Sequence, residues 1–169
     1  MPEIISFEAI PAEAHALIRR LREREQTAVL AESCTAGLAA DLLARVPGAS
    51  KILWGSFVCY TAQAKIAMLD LDTSRLERYG MVSGETARDM AQAALAKSGA
   101  FVAGAVTGLA GPDGDGSGLP VGTVWIATAL RGAAPRAGLF SFSGCRNEIR
   151  HQAAYTLIKE LLTAIAGRP

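Results

Sequence analysis

Short apolar runs alternate along this chain with segments whose apolar residues recur at helical spacing, and a chain patterned that way folds as α/β. Residues 27–31, 52–60 and 101–106 read as strands, β-branched or aromatic in content and bounded by turn residues. Residues 11–26 carry Ala14, Leu17, Ile18 and Leu21 on one helical face behind Pro11. Residues 38–46 repeat that periodicity until Pro47-Gly48 stops it, and 61–69 form a helix carrying Lys65. Ser74-x-x-Glu77 matches a capping box on a further short helix. Ser83 then caps 84–97, with Ala87, Met90, Ala91, Ala94 and Leu95 on its buried face. Only a turn at 131–135 separates two more strands, 121–130 and 138–142, which makes them antiparallel, and a helix over 144–166 closes the chain. No repeat or linker divides the sequence, so the expectation is one domain over residues 1–169, a three-layer α/β/α arrangement with a mixed sheet.

The charge balance narrows the partners. Lys plus Arg number 17 against 16 Asp plus Glu, a net charge of +1 with no run of five like charges, which argues against nucleic acid held on a broad basic surface. The longest uncharged stretches, such as 98–112, stop at 15 residues and contain glycines, short of the roughly 18 to 20 needed to span a bilayer. Met1-Pro2-Glu3-Ile4-Ile5 has no basic n-region or apolar h-region, so the cytoplasm is the expected location, with no membrane partner. Cys34, Cys59 and Cys145 are far apart, and only His15 and His151 accompany them, so neither a disulfide framework nor a zinc site is expected, and no cofactor.

Four places can hold chemistry. Ala31-Glu32-Ser33-Cys34-Thr35-Ala36-Gly37 puts small hydroxylated residues in the turn from a strand end into a helix, where backbone N–H groups can hold a phosphate or an oxyanion and Ser33 can attack a carbonyl. Plain helix capping by Ser33 or Thr35 explains the same residues, and Cys34 is a rival nucleophile that also reads as a small buried hydrophobe. The glycine-rich stretch 107–118 follows an apolar strand but lacks the Gly-Lys-Ser/Thr of a phosphate loop and the twelfth-position Glu of a calcium loop. It is either a ligand-contacting loop or a surface connection. Tyr60 and Lys65 stand at a strand exit and on the next helix, where a desolvated Lys acts as a base and a solvated one does nothing. Arg146 and Arg150 lie a turn apart at a helix start, suited to an anion or to an ion pair with Glu148.

The ordered set Ala31-Glu32-Ser33-Cys34-Thr35-x-Gly37, Val46-Pro47-Gly48-Ala49-Ser50, Tyr60-x-x-x-x-Lys65, Val82-Ser83, Thr107-Gly108-x-Ala110-Gly111-Pro112, Pro120-Val121-Gly122-Thr123-Val124 and Arg146-x-x-Ile149-Arg150 resembles the CinA C-terminal family, from about Glu13 to Ile165. These are nicotinamide-nucleotide amidohydrolases, which deamidate nicotinamide mononucleotide to nicotinate mononucleotide and ammonia in pyridine-nucleotide salvage. The resemblance implies Ser33 as nucleophile, with Lys65 and Tyr60 as its basic and hydroxyl partners. It implies substrate contacts from Cys34, Thr35, Gly37, Thr107, Gly108, Ala110 and Gly111, with Arg146 on the phosphate. It also implies no metal and, with the apolar composition, a homo-oligomer. Longer CinA proteins carry an N-terminal domain that this chain is too short to include. A non-catalytic nucleotide-binding or regulatory protein linked to competence or DNA damage, and a Ser amidase acting on another amide, are the alternatives. Two positions depart from the family's usual residues: Ala36 stands where a Gly is usual, and Cys145 where an Asp precedes the Arg.

Overall fold

The computed structural model describes residues 10–167; the signal-peptide reading of residues 1–5 lies outside them. The helix Ala12–Glu23 (α1) leads into the strand Ala28–Glu32 (β1), the helix Leu38–Ala44 (α2) and a short 3-10 turn, Ala49–Lys51. The strand Leu53–Val58 (β2) is followed by three helices, Ala62–Leu69 (α3), Thr73–Tyr79 (α4) and Gly84–Ser98 (α5). Strands Val102–Gly108 (β3), Thr123–Leu130 (β4) and Arg136–Ser141 (β5) then precede the helix Arg146–Ala166 (α6). The five strands form one mixed sheet in the order β2-β1-β3-β4-β5. β1 is parallel to both β2 and β3, and β4 is antiparallel to β3 and to β5.

β1 and β3 are covered on both faces, which is why they read as unbroken apolar runs. Ala28 and Leu30 of β1 and Val102 and Val106 of β3 point into one core with α1, α2 and α6, through Leu17, Leu43, Leu157 and Leu161 among others. Val29, Ala31, Ala103 and Ala105 face the other way, onto Ala87, Met90, Ala91 and Ala94 of α5. Alanine meeting alanine across that second layer brings α5 close to the sheet. The three-layer architecture is therefore the one the pattern implies.

Several boundaries differ from the sequence reading, and three of them have a clear local reason. Thr107 and Gly108 continue β3 instead of opening a loop, because they pair with Trp125 and Val124 of β4. α4 is capped by Asp72, whose carboxylate accepts from the Arg75 N–H at 3.1 Å, so Ser74 lies inside the helix and donates to Asp72. α6 starts at Arg146 with Cys145 outside it, the Cys145 N–H donating to Glu148 Oε2 at 2.7 Å. Glu148 is thus spent on its own helix end, and the bond holds its carboxyl below the usual range.

The topology fixes where chemistry can occur. β1 exits into α2 on one face of the sheet, whereas β2 exits towards α3 and α5 on the other. A crevice between the carboxyl ends of two adjacent strands whose connections part this way is the usual ligand position in an open α/β sheet. No helix among the described residues is long and apolar enough to cross a membrane.

Candidate functional site

Ser33 is the first residue beyond β1, and its N–H is tied back to the Val106 carbonyl of β3 at 3.0 Å. The chain then turns sharply: Ala36 has φ +52°, Gly37 has φ +93°, and the Ala36 N–H closes the turn on the Ser33 carbonyl at 3.0 Å. Gly37 serves this geometry without a Cβ penalty. Ala36 does not, and it is solvent-exposed, so its methyl gains little packing in return. Ala36→Gly is expected to stabilise the protein by about 1 kcal/mol, raising Tm by roughly 2–4 °C in calorimetry, because glycine takes positive φ without strain.

Lys65 enters from α3, whose N-terminus is fixed by Thr61 Oγ1 accepting from the Ala64 N–H at 3.1 Å. Its side chain is wholly buried. Nζ donates to Ser33 Oγ at 2.9 Å and to the Cys59 carbonyl at 3.0 Å. No carboxylate pairs with it among the described residues, and burial holds its pKa below the ordinary lysine value. A buried amine without a counter-charge gives up its proton more readily than a free one, and a hydroxyl 2.9 Å away is within transfer distance. Cys34, also buried, has the opposite character: desolvation pushes its thiol up to about 11, which leaves little thiolate at neutral pH.

The other residues singled out in the sequence bond to partners outside this pair. Tyr60, about half exposed, accepts at its hydroxyl oxygen from Arg146 Nη2 at 2.6 Å. Arg146 also donates through Nη1 to the Gly111 carbonyl at 2.5 Å, so it joins the exit of β2 to the segment after β3. Its partners are neutral, and no carboxylate lies within ion-pair reach among the described residues. Arg150 donates to the Thr35 carbonyl at 3.0 Å. The Thr107 hydroxyl donates to the Met81 carbonyl at 2.7 Å and is buried. Gly108 lies in the β3–β4 ladder, Ala110 and Gly111 are buried, and residues 112–120 are exposed. The glycine-rich stretch therefore divides into a packed half beside the site and a solvated half.

Sequence reasoning did not give Glu32 a role. Its carboxylate is fully buried and accepts from the Thr35 hydroxyl at 2.7 Å, from the Gly37, Ala39 and Ala40 N–H groups at 3.0 Å each, and from the Ser56 hydroxyl at 3.0 Å. The start of α2 is thereby filled from inside, so Gly37 has no N–H to offer a ligand. With the Ser33, Ala36 and Leu38 N–H groups bonded to backbone carbonyls, those of Cys34 and Thr35 are the turn's uncommitted donors among the described residues. Two clefts, of about 470 and 540 Å³, lie away from this region, lined by residues of β4, β5 and α6 and of α5 and the β4–β5 turn. The converging strand ends and the buried Ser33–Lys65 contact are the stronger indication of a reactive centre, because volume alone supplies no chemistry.

The model of the CinA C-terminal domain matches residues 11–165. The chain belongs to this family. A CinA-like protein of Akkermansia muciniphila is 40% identical over 154 residues, covering 91% of this chain and 37% of its own length. One from Geobacter sulfurreducens is 41% identical over 153 residues, covering 88% of this chain and 37% of its own length. The chain thus spans little more than a third of these CinA relatives. A crystal structure of a competence-damaged protein (CinA) superfamily member from Escherichia coli superposes with a TM-score of 0.88 at 33% identity, over 92% of this chain and 90% of that one. The competence/damage-inducible protein CihA of Agrobacterium tumefaciens gives 0.81 at 36% identity, over 95% and 98%.

Proposed function

We propose that the chain is a Ser-dependent amidohydrolase that converts nicotinamide mononucleotide to nicotinate mononucleotide and ammonia. The observation that carries this reading is the 2.9 Å contact between Ser33 Oγ and a wholly buried Lys65 that forms no ion pair among the described residues. In the neutral state of Lys65 the contact reverses, Oγ–H donating to the Nζ lone pair, and Nζ takes the proton as Oγ attacks the carboxamide carbon. The Cys34 and Thr35 N–H groups are the donors for the oxyanion. Lys65 returns the proton to the departing nitrogen, the C–N bond breaks, and ammonia leaves an ester on Ser33. Water, giving a proton to Lys65, then attacks the ester; nicotinate mononucleotide departs and the proton returns to Ser33. Tyr60 stands as the hydroxyl partner, and Arg146, whose partners among the described residues are neutral, as a cation for the phosphate.

Ammonia release from nicotinamide mononucleotide is expected in wild type, with or without chelator, and is expected to vanish in Ser33→Ala. Nucleotide binding in calorimetry without turnover over hours would favour the regulatory reading instead, and turnover of other amides alone would change the substrate. The proposal includes a cytoplasmic homo-oligomer; in support, the two edge strands expose Trp54 (52%) and Leu139 (57%).

A further inference from the structure

We infer that Glu32 is a positioning residue for the reactive pair: its carboxylate locks the Ser33 turn and the β2 exit into the one arrangement in which Ser33 Oγ meets Lys65 Nζ. The inference rests on the proposed role of Ser33 as nucleophile, and it concerns a residue that touches neither substrate nor the reacting atoms.

A carboxylate taken out of water is costly unless its oxygens are filled. Glu32 has no cation partner among the described residues; its compensation is five donors, and all five belong to the two segments that must be held together. Four come from the turn and the start of α2: the Thr35 hydroxyl and the Gly37, Ala39 and Ala40 N–H groups. The fifth, the Ser56 hydroxyl, comes from β2, the strand that leads to Cys59. The Glu32 carbonyl adds a sixth tie, accepting from the Cys59 N–H at 2.9 Å, while the Cys59 carbonyl receives Lys65 Nζ. One residue, directly before the nucleophile in sequence, therefore fixes both halves of the Ser33–Lys65 contact.

The same grip determines which donors the site can offer. With the Gly37, Ala39 and Ala40 amides spent on Glu32 and the Leu38 amide on the Thr35 carbonyl, an incoming anion cannot use them, and among the described residues the turn presents the Cys34 and Thr35 N–H groups. A helix start that could attract the substrate's phosphate is thereby filled from inside, which leaves the Cys34 and Thr35 N–H groups beside Ser33 as the donors for an oxyanion.

Glu32→Gln keeps the shape but replaces one acceptor oxygen by a donor NH₂ facing groups that already donate, so the turn must shift. A displacement of about 1 Å at a reacting group costs on the order of 100-fold. The test measures two rates on full-length protein: kcat for deamidation of nicotinamide mononucleotide, and phosphonylation of Ser33 by a fluorophosphonate, read by intact mass with Ser33→Ala as control. Glu32→Gln is expected to lower both by about 100-fold with KM changed less than about threefold. Amide exchange at Gly37, Ala39 and Ala40 is expected to accelerate in the same variant. Formate added to Glu32→Ala, replacing the missing carboxylate, is expected to recover part of the phosphonylation rate. A folded Glu32→Gln with wild-type kcat and wild-type labelling overturns the inference. If Glu32→Gln does not fold, Thr35→Val and Ser56→Ala each remove a single tie; slowed labelling supports the inference, and wild-type labelling in both overturns it. Wild-type protein that labels at Ser33 yet releases no ammonia removes the proposed substrate and leaves the role of Glu32 to the labelling comparison. Wild-type protein that does not label at Ser33 overturns both.

Discussion

Lys65→Met is expected to lower kcat by about 1,000-fold, the usual contribution of a positioned general base, while leaving a folded protein whose stability relative to wild type depends on pH. Methionine is unbranched and flexible like lysine, fills a similar volume and brings no charge into the buried position. The pH dependence follows from the direction of the lysine shift. Burial lowers the pKa of Lys65 in the folded protein, whereas the unfolded chain keeps it near about 10.4. Between those two values the unfolded state binds more protons than the native state, so wild-type stability rises with pH across that window and is lost as pH falls through it. Below the folded pKa both states are protonated and the penalty is constant. Lys65→Met lacks this titration. The stability difference, measured by denaturant unfolding from about pH 7 to 10, is therefore expected to move in favour of wild type as pH rises. Turnover has the same origin with the same sign: the base must be neutral, so wild-type kcat/KM is expected to rise with pH and level off above the depressed lysine pKa. A pH-independent stability difference, or a Lys65→Met enzyme with wild-type kcat, would remove Lys65 as the base.

The architecture was legible because the strands buried on both faces are continuous apolar runs and the helices carry one apolar stripe each; Leu30 and Val102 could only point inward. The errors came where a local signal met a stronger tertiary one. Glycine at 108 reads as a loop, yet the ladder to Val124 holds it in β3. Ser74-x-x-Glu77 reads as a cap, yet Asp72, two residues earlier, takes the same helix end. In the site, the Ser33 turn was legible from a strand, a hydroxylated turn and a helix in succession. The burial of Lys65 was not, because it depends on α3 folding back over the β2 exit. Glu32 had a signal that went unused: an acidic residue ending an apolar strand, a short turn ahead of a helix start, has a set of free N–H groups within reach. Its link to Ser56 belongs to tertiary structure, since 24 positions separate the two residues.

The largest loss of stability is expected from Gly122→Ala, by about 3–5 kcal/mol, which would lower Tm by roughly 8–15 °C. Gly122 has φ +93°, where an L side chain costs about 1–2 kcal/mol. The greater part is steric: a Cβ there would sit 1.9 Å from the Phe142 carbonyl oxygen, and that atom is backbone and cannot rotate away. Gly122 also joins two segments, its N–H donating to the Leu109 carbonyl at 2.7 Å and its carbonyl accepting from the Phe142 N–H at 2.9 Å. Relief of the clash must therefore move either the end of β5 or the chain just after β3, which carries the Gly111 carbonyl that receives Arg146. Gly132→Ala separates the two contributions. Gly132 has φ +77° but nothing within 4 Å of an added Cβ, so it is expected to lose only about 1 kcal/mol. If the two variants unfold at the same denaturant midpoint, the close approach of Phe142 contributes nothing. A separation of several degrees in Tm assigns the difference to that contact, because both positions share the backbone cost and differ in what the methyl meets.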